Sequence, residues 1–292
     1  MKATTTNPAL VMILVDGSHS TGASWVIDDK TGQESTVSRS IQDGVNRALH
    51  DLIINVCYAD GVILGRINLG VVVAQGDEVR WGLDCEEPED GWLDVASWAN
   101  LAPQPANANE IPQWLSIQPE GKTPLIEGWE SCFSTIEKYR QQYPESSVLL
   151  MTLTDGLFSE LDLTEEIQDD LTKQQASCVG DASYLHLIGH ISPDGKPATL
   201  FPEELPEGEY EQLLFELSTV LPSHLFDNGA TEFCGVPISK RSRAYVHNAD
   251  HGLLSELIQL GSRVWMEMQS WSPPQKEKRR KSNASFRLVT YS

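Results

Sequence analysis

The chain has 292 residues, with 42 Asp and Glu against 21 Lys and Arg, for a formal net charge of −21. Its 40% hydrophobic and 22% charged content is that of a folded globular protein, not a disordered chain, and the length suits one large domain or two small ones. The acidity argues against nucleic-acid binding, which needs positive charge to release counterions, and no apolar run reaches the roughly 18–20 residues that span a bilayer.

The charge is unevenly spread. Residues 272–292 hold Lys276, Lys278, Arg279, Arg280, Lys281 and Arg287 against the single acid Glu277, a +5 tail that leaves −26 on residues 1–271. Ser272-Pro273-Pro274 at its start blocks helix continuation. A second bias is the acidic run Asp84–Asp90. The five cysteines (Cys57, Cys85, Cys132, Cys178 and Cys234) are odd in number, scattered and without a C-x-x-C pair. They read as reduced thiols of a cytoplasmic protein, not as a disulfide frame or zinc site.

In chain order, Ala9–Val15 is an unbroken apolar run, the pattern of a central strand buried on both faces. It stops at Asp16-Gly17-Ser18-His19-Ser20, and the polar stretch 21–36 reads as a loop or small hairpin. Val37, Ile41, Val45, Leu49 and Leu52 recur at helical spacing. Arg66–Gln75 is a second buried strand, turned by Gly76-Asp77 into a hairpin with Glu78–Leu83. The proline-rich segment 85–121 is expected to be irregular. A helix resumes after Thr123-Pro124, with Leu125, Trp129, Phe133 and Ile136 on one face. Ser147–Thr154 is a third strand, ending at Asp155-Gly156. Thr164 caps a helix reaching Ser177, Ala182–Ile191 is a fourth strand, and helices are expected at 209–221 and 251–268.

Strands alternating with helices imply an α/β fold: a doubly wound, mostly parallel sheet with helices on both faces. In such sheets ligands bind beyond the carboxyl ends of the strands, which directs attention to the residues after Val15 and Thr154. Asp16, Ser18, Ser20, Thr123 and Asp155 supply three hydroxyls and two carboxylates there, with no thiolate and no required imidazole. An all-oxygen set suits a hard divalent cation, Mg²⁺ or Mn²⁺. Neutral hydroxyl ligands leave such a cation electron-poor, so it still favours an anion from outside.

Together, Asp16-Gly-Ser18-His-Ser20, the threonine of Gly-Lys-Thr123-Pro-Leu and the aspartate of Thr-Asp155-Gly resemble the metal-ion-dependent adhesion site of von Willebrand factor A-type domains. The resemblance covers roughly residues 8–263. It implies a Rossmann-like fold over residues 1–271, with insertions near 21–36 and 85–120, followed by the basic tail 272–292. It also implies that Ser18, Ser20 and Thr123 bind Mg²⁺ or Mn²⁺ directly, that Asp16 and Asp155 act through water, and that a protein partner contributes an Asp or Glu carboxylate. The site rim departs from the family pattern: His19 stands where many members have Gly, and Thr21 where Met is common. Bacterial intracellular members suggest a scaffold in signalling, stress or defence complexes containing AAA+ ATPases, kinases or phosphatases.

Trp81, Trp92, Trp98, Trp114 and Trp129 crowd one stretch of chain, and tryptophan is enriched at interfaces. His19, Trp92, Trp98 and Trp114 are therefore candidate partner-binding residues beside the cation. His247-x-x-x-His251 on a helix, and His186-x-x-x-His190 on a strand, are weaker metal pairs. The sequon at Asn283 is discounted for want of a secretion signal. No nucleophile elbow, phosphate loop or paired catalytic carboxylates occur, so the chain reads as a non-enzyme. A metal-free scaffold is the alternative. A Mg²⁺-dependent phosphohydrolase is disfavoured because Ser18 stands where a second aspartate would be needed.

Overall fold

The computed structural model describes residues 3–27, 34–83, 85–101, 110–155, 164–179, 184–191, 197–222, 232–233 and 236–249. The expected helix at 251–268, the basic tail, Cys234 and Asn283 lie outside them. Eight strands form the main sheet: β1 (Ala9–Asp16), β2 (Ile67–Gln75), β3 (Glu78–Trp81), β4 (Leu93–Asp94), β5 (Val148–Thr154), β6 (Tyr184–His190), β7 (Thr199–Leu200) and β8 (Tyr245–His247). Their order is β7-β8-β6-β5-β1-β2-β3, with β4 also paired to β2. β1 pairs in parallel with both β2 and β5, and β6 in parallel with both β5 and β8. β3, β4 and β7 are antiparallel additions at the edges. This is the doubly wound α/β architecture.

The apolar run that marks β1 is explained by its position. Val11, Ile13 and Val15 face one hydrophobic layer, and Leu10, Met12 and Leu14 face the other. Successive side chains of a strand point to opposite faces, so a strand covered on both sides must be apolar throughout. The first layer is covered by α1 (Val37–Leu52), whose Ile41, Val45 and Leu49 are buried, and by α2 (Val95–Ala99). The second is covered by α3 (Leu125–Gln142), α4 (Glu165–Val179) and α5 (Glu209–Leu217). Thr36 caps α1 by accepting from the Arg39 N–H at 3.1 Å. Residues 24–27 and 34–36 form a small antiparallel hairpin, as the sequence suggested.

The described residues of the segment 85–121 are more regular than its prolines suggest. It contains β4 and α2, and Asp94 caps α2 by accepting from Ala96 N–H and Ser97 N–H at 3.0 and 3.1 Å. Its outer part is held by the buried Asn46 of α1. The Asn46 Oδ1 accepts from the backbone N–H of Trp114 and Leu115, and its Nδ2 donates to the Leu115 carbonyl. One side chain thus satisfies backbone groups that would otherwise be stranded under the loop.

Packing also corrects the proposed tryptophan surface. Trp92, Trp98 and Trp114 are only 9%, 0% and 5% exposed. Trp98 and Trp114 stack edge to face at 5.1 Å, and Trp92 does the same with Tyr139 at 5.0 Å. Their large apolar rings fasten the insertion to the core rather than presenting it to a partner.

Candidate metal centre

The chain reverses its winding at β1: it runs outward to β2 and later returns to add β5 on the other side. The carboxyl ends of β1 and β5 therefore lie side by side at the switch point, where a crevice opens in folds of this kind. Asp16 is the last residue of β1, and Thr154 is the last of β5. The Thr154 hydroxyl donates to Asp16 Oδ2 at 2.8 Å, and the Ser18 N–H donates to Asp16 Oδ1 at 2.9 Å. Both carboxylate oxygens are thereby oriented, which suits holding water on a cation more than direct ligation.

Asp16 is fully buried, and Asp155 nearly so. Burial, and then the charge of the neighbouring Asp155, push the Asp16 carboxyl up from its ordinary 3.8 to about 7, against the lowering effect of its hydrogen bonds. A site that places two carboxylates together under cover creates demand for positive charge. Above this floor lies the single 3₁₀ turn His19–Gly22. The Thr21 hydroxyl donates to the Ser18 carbonyl at 2.7 Å, and the Ser18 and Ser20 hydroxyls stand 2.9 Å apart.

The segment before α3 is drawn to the same place through its backbone. His19 N–H donates to the Gly121 carbonyl (3.1 Å), Glu120 N–H to the Gly17 carbonyl (3.1 Å), and Gly76 N–H to the Glu120 carbonyl (3.2 Å). Gly121 has φ +63°, and a Cβ there would stand 2.5 Å from Gly76 Cα, so no other residue fits without moving backbone. This loop carries Thr123, which is buried, into α3.

The donor chemistry fits a hard divalent cation. Adjacent ligands of an octahedral Mg²⁺ with bonds of about 2.1 Å lie about 3.0 Å apart, close to the 2.9 Å between the Ser18 and Ser20 hydroxyls. Of the other candidates, His19 is exposed on the rim. A cleft of about 710 Å³ opens beside it, lined by His19, Ser20, Thr36, Arg39, Gln42 and Ile117 among others.

The weaker histidine pairs resolve differently from their spacing. His186 is buried in a polar cluster, with Nε2 at 2.9 Å from the Thr152 hydroxyl and Nδ1 at 3.0 Å from Gln175 Nε2. His247 lies on strand β8, not on a helix, and its neighbour is His190 on β6, with the two Nδ1 atoms 2.7 Å apart. Glu211 of α5 joins them. Sequence spacing missed this cluster because it depends on strand register, which pairs residues 57 positions apart.

Cys57, Cys132 and Cys178 are buried free thiols, and Cys85 is a half-buried one. Burial pushes the Cys57 and Cys178 thiols up to about 12, which suits inert core residues. No helix among the described residues is long and apolar enough to cross a membrane.

No protein-family model matches the chain, and no curated protein matches it. The chain is similar to the manganese-loaded TRAP protein of Plasmodium vivax, at 13% identity and a TM-score of 0.40, covering 88% of this chain and 74% of that one. The PilB minor pilin of Streptococcus sanguinis has 12% identity and a TM-score of 0.44, covering 92% and 64%. Proximal thread matrix protein 1 of the mussel byssus has 12% identity and a TM-score of 0.41, covering 88% of this chain. The present chain spans 48% of the length of that thread protein.

Proposed function

We propose that this chain is a von Willebrand factor A-type module that captures a protein partner through a divalent cation. Ser18, Ser20 and Thr123 would ligate Mg²⁺ or Mn²⁺. Asp16 and Asp155 would orient water on it and balance its charge. Bound there, the cation would supply Lewis acidity toward one carboxylate of the partner. The protein's own contribution is to bury the two aspartates, hold the hydroxyls on a short rigid turn, and offer the adjacent cleft to the flanking partner chain.

The observation that carries this reading is the convergence of the Ser18 and Ser20 hydroxyls, 2.9 Å apart, over the buried Asp16. The reading includes no catalytic role. By resemblance it places the chain in the cytoplasm as a scaffold of a complex that contains an AAA+ ATPase, a kinase or a phosphatase.

The test is affinity capture from the native lysate with Mg²⁺ and with EDTA, using the wild type, Thr123→Ala and the double variant Ser18→Ala/Ser20→Ala. Mg²⁺ binding by calorimetry and partner recovery are expected to fall together in both variants. Partner recovery that is unchanged in EDTA overturns the cation-bridged mechanism and leaves a metal-free scaffold.

A further inference from the structure

We propose that His190, His247 and Glu211 form a second metal site, separate from the oxygen site and selective for a borderline-soft divalent ion of the Zn²⁺ class. Parallel pairing sets His190 opposite His247, so both imidazoles rise from the same face of neighbouring strands. Their rings are 4.6 Å apart between centroids. Helix α5 lies over that face, with Phe215 packed edge to face on Tyr245 at 6.2 Å, and it supplies Glu211. The ligand atoms of the three residues all lie within 4.8 Å of one another.

The hydrogen bonds select the tautomer that a metal needs. His190 Nε2 lies 3.0 Å from the Asp155 carbonyl oxygen, which can only accept, so Nε2 carries the hydrogen. Nδ1 of the neutral His190 ring therefore keeps its lone pair, facing His247 Nδ1 at 2.7 Å and the Tyr245 hydroxyl at 3.4 Å, and that hydroxyl also stands 3.3 Å from His247 Nδ1. A ligand imidazole whose other nitrogen donates to a backbone carbonyl is the usual arrangement around protein-bound zinc, because it fixes ring orientation and raises basicity. His190 is only 4% exposed, so its orientation is held by packing as well.

The spacing is suitable after a small adjustment. Tetrahedral Zn²⁺ with bonds of about 2.0–2.1 Å places two nitrogen ligands about 3.3 Å apart. The two Nδ1 atoms, now 2.7 Å apart, reach that separation by a few tenths of an ångström of ring movement each. As the ion enters, the hydrogen on His247 Nδ1 transfers through water to that ring's own Nε2, which frees the second Nδ1 lone pair and leaves both imidazoles neutral. Two nitrogens and one carboxylate oxygen supply three of four tetrahedral positions, a donor set that disfavours Mg²⁺. The site is independent of the proposed partner-binding function, although His190 touches the backbone of Asp155.

The test is calorimetric titration of the full chain with Zn²⁺ in saturating Mg²⁺, alongside Co²⁺ titration followed by visible absorption. One equivalent of Zn²⁺ is expected to bind, and Co²⁺ to give tetrahedral d–d bands. Affinity is expected to fall at least tenfold in Glu211→Gln and in His247→Ala, and to be unchanged in Thr123→Ala, which removes a ligand of the oxygen site only. Glu211 and His247 are both partly exposed, and circular dichroism checks that each variant is folded. No Zn²⁺ uptake by the wild type, or uptake unaffected in both folded variants, overturns the proposal. Loss of Zn²⁺ binding in Thr123→Ala but not in Glu211→Gln also overturns it, by assigning the ion to the oxygen site.

Discussion

Asp16→Asn separates charge from geometry at the oxygen site. Asn keeps an oxygen to accept from Ser18 N–H, and the Thr154 hydroxyl can turn to accept from the new amide, so both hydrogen bonds that orient residue 16 survive. Only the charge is lost. In the metal-free protein that charge is a cost: its carboxyl is raised from 3.8 to about 7 by burial and by Asp155. About three pH units at about 1.4 kcal/mol each is on the order of 4 kcal/mol of stability. The sign follows from linkage. The folded state holds the proton more tightly than the unfolded state, so this stability is fully present below pH 3.8 and is lost as pH rises to about 7. At pH 8 in EDTA, Asp16→Asn should therefore be more stable than the wild type, by roughly 2–4 kcal/mol or about 5–15 °C in Tm. At pH 5 the advantage should shrink to less than about 2 kcal/mol. Mg²⁺ should close most of that gap. The wild type gains about 2.7 kcal/mol at a hundredfold excess over Kd, and the variant gains little. Thermal melts at pH 5 and 8, each with EDTA and with Mg²⁺, make the measurement. A variant less stable than the wild type in EDTA at pH 8, or one that gains as much from Mg²⁺, refutes the argument.

Other expectations concern positions away from the ligands. Gly121→Ala forces a side chain onto φ +63° and against Gly76 Cα. It should cost about 1–2 kcal/mol from the backbone conformation alone, and should weaken Mg²⁺ binding in calorimetry without removing a ligand. His186 is buried neutral, its pKa pushed down from 6.5 to about 3 by burial. Its contribution is fully present above pH 6.5 and lost as pH falls toward 3, at up to about 1.4 kcal/mol per pH unit. Urea melts between pH 7 and 4 should show a flatter profile in His186→Gln. Trp98→Ala should cost about 3–5 kcal/mol by opening a cavity between α2 and Trp114, and should leave Mg²⁺ affinity unchanged in the fraction that folds.

The parts of the fold legible in the sequence are those whose signal is local. Ala9–Val15 shows its double burial as an unbroken apolar run, and Val37–Leu52 shows its helix as a repeat. Asp16, Ser18 and Ser20 fall in one short motif, and strand ends at Val15 and Thr154 direct attention to them. What could not be read depends on long-range register or on very short elements. β4 has two residues and β8 three, too few for any periodicity. The position of Thr123 depends on backbone contacts between Gly76, Glu120 and Gly17, none of which leaves a pattern in composition. The tryptophans were visible as a cluster, but their burial depends on the edge-to-face packing of Trp98 on Trp114 and of Trp92 on Tyr139.

The central place of β1 has a consequence for how the chain is made. Its partners begin at Ile67 and Val148, so one edge stays unpaired until Val148–Thr154 has been synthesised. During that interval an uncharged, β-prone segment waits in the open, the kind of sequence that associates with copies of itself. Parallel pairing across such separations is slow because loop closure precedes any gain in contacts. Folding yield on the ribosome should therefore depend on chaperones that shield Ala9–Asp16, and on how quickly translation delivers Val148–Thr154 to it.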